Sequence, residues 1–171
     1  MTATARAGRV GTLAGAAALA GLSALHFAWA AGSSFPARDR VRLAEVAAGR
    51  SEVPSTPACL VVGTGLGVAA GLVAGAGGDR RLARWGRWAV AAAFFGRSAA
   101  GLSGATRLLV PWTPQPEFVR LDRRYYSPLC WGIAVAAARA ATASTIRSTA
   151  SAKLAGSSSA GKCGLSEAAV G

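Results

Sequence analysis

Apolar residues gather in four runs, each near the roughly 20 residues that an α-helix needs to cross the hydrocarbon core of a bilayer. The runs are Val10–Gly32, Pro57–Gly77, Trp85–Leu109 and Pro128–Ile146; the third carries Arg97 near its middle and the fourth Arg139 in its distal part. Any one of them also suits a buried helix of a soluble protein, but four in one short chain predict an all-α integral membrane bundle of four transmembrane helices. Between them, GSSFPARDRVRLAEVAAGRSEVPST (Gly32–Thr56) reads as a polar, Pro-punctuated loop and GGDRRLAR (Gly77–Arg84) as a short basic one. Residues 1–9 form a short basic N-terminal segment, 10–146 the membrane domain, and 147–171 a Ser-, Ala- and Gly-rich tail expected to be disordered.

Composition sharpens this picture. Of 171 residues 52% are hydrophobic and 15% charged, which leaves too little polar surface for a soluble domain of this length. The formal charge of +12 would suit nucleic acid or anionic lipid. Its distribution favours lipid, because the arginines stand in short clusters at the ends of apolar runs rather than on one continuous basic face. Trp29, Trp85, Trp88, Trp112 and Trp131 all lie near predicted span ends, where an aromatic belt meets the headgroups. The Arg- and Ala-rich usage fits a GC-rich bacterial genome, so the plasma membrane is the expected location. Arginines divide almost evenly between the two sides; the short basic turn at 77–84 favours cytoplasmic N- and C-termini. Arg6 and Arg9 before an apolar stretch ending in AWA (Ala28–Ala30) resemble a cleaved signal, but the stretch is long for one, and the reading adopted is a retained first helix.

GTGLG (Gly63–Gly67) has no strand before it and no acidic residue on a second strand after it, so it does not read as a nucleotide-binding turn. Gly63, Gly67, Gly71 and Gly75 instead form a four-residue-spaced stripe that lets another backbone approach. The third span has a matching stripe that includes Gly96 and Gly104 (with Ala92 and Ala100), predicting a tight crossing of spans two and three. Cys59 and Cys130 begin spans two and four, so they share a membrane surface, with two small buried hydrophobes preferred over a disulfide. Cys163 lies in the tail. No His, Cys, Asp or Glu cluster suggests a metal, and no cofactor motif is present.

Laying Phe118–Tyr126 on a helix puts Arg120, Arg123 and Arg124 on one side and Phe118, Leu121 and Tyr125 on the other. This predicts a short interfacial helix before the last span, with Ser127 as its N-cap and Pro128 as its first residue. Asp122 falls on the apolar side, where a carboxylate needs a partner. The expected partner is Arg97 or Arg107, with His26 close by. The candidate intramembrane polar cluster is therefore His26, Arg97, Asp122, Tyr125 and Tyr126, while Arg139 can snorkel to the headgroups.

LHFAW (Leu25–Trp29), RSAAG (Arg97–Gly101) and above all FVRLDRRYYSPLCW (Phe118–Trp131) resemble the bacterial domain-of-unknown-function family 3995. The resemblance runs from about Val10 to Ala143; VPWTPQP (Val110–Pro116) and Arg139 depart from the family pattern. It implies a small multi-spanning membrane protein whose last helix is introduced by a DxxxYSPLC segment, and it implies no activity.

Three function classes are compatible with these features. The favoured one is a non-enzymatic accessory protein whose partners are membrane lipid, a second copy or another membrane protein. The second is a transporter or channel subunit lined by Arg97 and His26. The third is an enzyme acting on lipid or quinone with His26 and Asp122 as acid and base; the sequence has no set of nucleophile, base and orienting group to support it.

Overall fold

The computed structural model describes residues 3–52, 54–106 and 112–167, and all its regular elements are helical. In chain order they are α1 (Ala3–Ala30), α2 (Arg40–Ala48), α3 (Thr56–Ala74), α4 (Arg81–Ser103), α5 (Pro116–Leu121), one π-helical turn (Asp122–Tyr126) and α6 (Ser127–Glu167). Three stretches are long and apolar enough to cross a membrane: Arg6–Ala30, Thr56–Ala74 and Pro116–Ile146. The helix expected as the third span is present as α4, shifted toward the N-terminus. Its arginines, Arg87 and Arg97 among them, keep it below the apolarity of the other three.

Small residues set the packing. Ala16 and Leu19 of α1, Ala69, Ala70 and Val73 of α3, Ala91 of α4, and Ile133, Ala136 and Ala137 of α6 make one buried cluster. With so many methyl-sized side chains the backbones close up, and Gly15 of α1 lies directly on Ala136 of α6. The main interfaces are α1 with α3 and α4 with α6, joined by α1 against α6.

The glycine stripe therefore serves a different neighbour from the one expected. A β-carbon on Gly63 would lie 3.3 Å from His26 Cβ, and one on Gly67 3.2 Å from Ser23 Oγ, so this face meets α1 rather than α4. Ser23 completes the contact by donating to Gly63 O at 2.7 Å. Gly71 has only Ala76 nearby, Gly96 faces nothing within 4 Å, and Gly75 and Gly104 are left-handed C-caps at φ 114° and 81°. Four-residue spacing specifies a smooth face; it does not specify which helix covers it.

The segment expected as a loop after α1 instead contains the short helix α2. Asp39 caps α2 by accepting from Arg42 N at 2.8 Å, and Gly49 ends it in the left-handed conformation at φ 68°. Leu43 and Ala44 are buried, so this short helix folds back on the bundle. Gly49 is also needed sterically, since a β-carbon there would meet the Phe118 ring at 2.8 Å.

At the other extreme, α6 runs on to Glu167 where a disordered tail was expected from residue 147. Alanines at spaced intervals favour continuing a helix already nucleated by its packed first half.

Candidate functional site

Asp122 and Arg97 meet, as their placement on apolar faces required. Arg97 grips the carboxylate with both terminal nitrogens, Nη2 to Oδ1 at 2.8 Å and Nη1 to Oδ2 at 3.2 Å. Two hydroxyls complete the shell: Ser127 Oγ donates to Oδ1 at 3.2 Å, and Thr106 Oγ1 donates to Oδ2 at 3.1 Å. Each carboxylate oxygen thus accepts two hydrogen bonds, which fills the acceptor capacity of an ionised carboxylate. The Asp122 side chain is 3% exposed and that of Arg97 36%, so the acid is enclosed while the guanidinium reaches the rim. Ser98 adds a further tie between α4 and α6, donating to Ser127 O at 2.8 Å.

The sequence creates this cluster through two local devices. Gly101, one turn beyond Arg97, leaves the space it occupies: a β-carbon there would overlap Ser127 Oγ and come 2.9 Å from Asp122 Oδ2 and 3.0 Å from Arg97 Nη1. The π turn is the other. Ser127 N–H bonds to Asp122 O, five residues back, instead of four. Pro128 explains its position, because a proline has no N–H for Arg124 O and its ring would collide with that carbonyl in a regular helix. The chain accordingly does not break at Ser127 to start a new helix. Ser127 is αR at φ −66°, and its hydroxyl serves Asp122 rather than a helix N-terminus.

The widened turn also rephases the residues C-terminal to it. Phe118 and Asp122, before the bulge, point inward as the 3.6-residue period predicts. After it, Tyr126 turns inward, with its hydroxyl donating to Val46 O of α2 at 3.0 Å and its ring 6.1 Å from that of Phe118. Tyr125 is 56% exposed beside the Arg124 guanidinium, not on the apolar side. Arg120, Arg123 and Arg124 are exposed as expected.

His26 belongs elsewhere. Its Nδ1 donates to Leu22 O at 2.8 Å and its ring tilts against Trp29 at 4.8 Å. It lines an apolar pocket of about 160 Å³ with Leu43 and Ala44 of α2 and Cys59 of α3, and Arg97 is not among the lining residues. The expected grouping of five thus resolves into the Arg97–Asp122 pair, a neighbouring Tyr126, and two residues in other surroundings. Arg107, the alternative partner for Asp122, lies outside the described residues. Cys59 and Cys130 carry free thiols, and among the described residues no group of three metal-ligating side chains occurs.

Thr106, Ser98 and Gly101 have no signature in the sequence, since small residues in Ala/Gly-rich helices carry no periodic signal, and Ser127, expected as an N-cap, instead donates to Asp122. Arg87, one of the arginines clustered at the start of the third apolar run, has no such signature either. It is 1% exposed and donates to three backbone carbonyls at the end of α3: Leu72 O at 2.7 Å, Gly78 O at 2.9 Å and Ala76 O at 3.1 Å. Leu72 lies in the last turn of α3 and Ala76 and Gly78 in the turn just beyond it, where the helix dipole favours a cation.

Among protein families, one described as "Protein of unknown function (DUF3995)" matches residues 19–137. The matched region contains Arg97, Gly101, Thr106, Asp122 and Ser127. No curated protein and no solved structure matches the chain.

Proposed function

As the chain belongs to the DUF3995 family of proteins of unknown function, we propose that it is a four-span membrane protein acting as a non-enzymatic accessory that binds lipid or a membrane partner through its helices. The observation that carries this reading is the saturated Asp122 carboxylate. It is the one buried carboxylate among the described residues, and all four of its hydrogen bonds go to its own fold. A group so engaged ties α4 to α6; it is not poised to take a proton from a substrate or to pass an ion. Outside the core, Val10, Leu13, Phe27, Val61, Phe95 and Trp131 are exposed, a perimeter that lipid chains or a partner helix would cover.

In this reading α4 is the third span, with Arg87 and Arg97 tolerated because both are engaged inside the protein. Residues 75–80 and both termini are then cytoplasmic, and α2, α5 and the π turn lie at the outer surface of a plasma membrane. Single cysteines at Gly78 and Gln115, placed in a variant lacking the native cysteines, test this with a membrane-impermeant thiol reagent. They should label from opposite sides. Labelling from the same side would remove α4 from the membrane, and recovery of the chain in the soluble fraction after carbonate extraction would end the membrane reading altogether.

A further inference from the structure

At the end of the bundle opposite Asp122, a cleft of about 730 Å³ opens between the first turns of α1, the end of α3 and the distal part of α6. Arg9, Arg87 and Arg139 line it, together with Leu13 and Ile146. Arg139 is exposed on α6. It crosses to α1, where its Nη1 lies 3.4 Å from the place a β-carbon on Gly11 would take. Two residues from that glycine, Arg9 enters the same cleft. Neither arginine makes an ion pair among the described residues. Arg87 is buried behind them, and backbone carbonyls hold it without cancelling its charge.

The surroundings offer little neutralisation. Close to this cleft, Asp79 of the α3–α4 turn is the one carboxylate among the residues whose side chains are described, against Arg6 and Arg9 of α1, the arginines that follow Asp79, and Arg139 of α6. At the opposite end Asp39, Glu45, Glu52, Glu117 and Asp122 stand among the arginines, and Arg42, Arg50 and Arg97 are paired. Like charges drawn together across a helix interface without a counterion form an anion site. Planar guanidinium forks match the oxygens of a phosphate, and Leu13 and Ile146, 52% and 69% exposed, continue the cleft as an apolar track.

We propose that this cleft binds the phosphate of an anionic membrane lipid, with Arg9 and Arg139 as the two clamps, Arg87 as the buried charge behind them, and Leu13 and Ile146 along the acyl chains. The inference rests on the membrane reading, to which it adds the chemical class of lipid and its place.

The test uses the full chain purified in a neutral detergent, stripped of lipid and titrated with phosphatidylglycerol or phosphatidylcholine, with bound lipid counted by native mass spectrometry. Wild type should retain one phosphatidylglycerol in preference to phosphatidylcholine. R9A/R139A should weaken that preference roughly thirtyfold, about fivefold for each surface arginine. R120A/R124A removes the same charge at the opposite end and should leave the preference intact. R9K/R139K keeps the charge without the forks and should fall between. Both arginines are exposed, so the variants should unfold at the wild-type midpoint. A preference that survives R9A/R139A, or falls equally in R120A/R124A, would overturn the site while leaving the membrane reading standing. So would displacement of the lipid by inorganic phosphate at equal concentration, which would mark a site for the free anion. Failure of the membrane reading itself is distinct: the chain would leave the membrane on carbonate extraction.

Discussion

Removing Arg97 should harm the protein more than removing Asp122, although each deletes the same ion pair. The reason is the difference in enclosure, 36% exposure for the Arg97 side chain against 3% for that of Asp122. In R97A a buried carboxylate keeps only the hydroxyls of Ser127 and Thr106, and an uncompensated buried charge costs about 3–5 kcal/mol. In D122A the guanidinium already at the rim turns to water, and the two hydroxyls find backbone acceptors. The loss should be about 2 kcal/mol, discounted for screening of the exposed partner. Independent effects would sum to roughly 5–7 kcal/mol in R97A/D122A. The double variant should instead lose about 2–3 kcal/mol, less than R97A alone, because it removes the charge that R97A strands. Denaturant titration in detergent micelles, followed by tryptophan fluorescence and circular dichroism, gives all four corners of the cycle. Additive losses, or R97A milder than D122A, would refute the reasoning and show that the pair is not what holds α4 to α6.

Other expectations come from the same geometry. G101A places a methyl group on Ser127 Oγ and should cost about 1–3 kcal/mol in the same titration. G96A, in open space, should be neutral or stabilise by up to about 1 kcal/mol. Gly67→Leu should loosen α1 from α3 and lower the thermal midpoint in detergent, while Gly71→Leu should be far milder, since only Ala76 stands near. R87A removes three hydrogen bonds from one buried cation and should cost about 3 kcal/mol, with R87K recovering only part because an ammonium lacks the planar fork. Hydrogen exchange should localise that loss to the amides at the end of α3.

Legibility in the sequence divides along physical lines. Helix-length apolar runs are a property of composition, so the helices that carry the bundle were legible. The Arg97–Asp122 pair was legible too, because a charge on an apolar face must be answered and few partners were within reach. Tyr125 and Tyr126 exchanged places because a proline's steric demand acts four residues upstream and shifts the period there. The partner of the glycine stripe was hidden, since tertiary pairing decides which of two smooth faces meet. α2 announced itself through Asp39 and Gly49, a cap and a stop with nine helical residues between them, yet the surrounding Pro and Ser masked it. Arg87 looked like one more headgroup charge at the start of the third run; only the fold shows that it faces inward toward carbonyls at and just beyond the end of α3.

The widened turn at Asp122–Tyr126 amounts to one residue inserted into an otherwise unbroken helix. The wide turn absorbs that residue: five residues from Asp122 to Ser127 close one turn where four normally do, so deleting any one of Arg123, Arg124 or Tyr125 would restore ordinary pairing while α5 and α6 kept nearly the same faces. Phe118 would stay on Gly49 and Asp122 on Arg97. The segment holds one spare residue without turning its neighbours. Chains of this design should tolerate the loss of that residue far better than a loss within α5 or the first turns of α6, where no wide turn absorbs a rotation of roughly 100°.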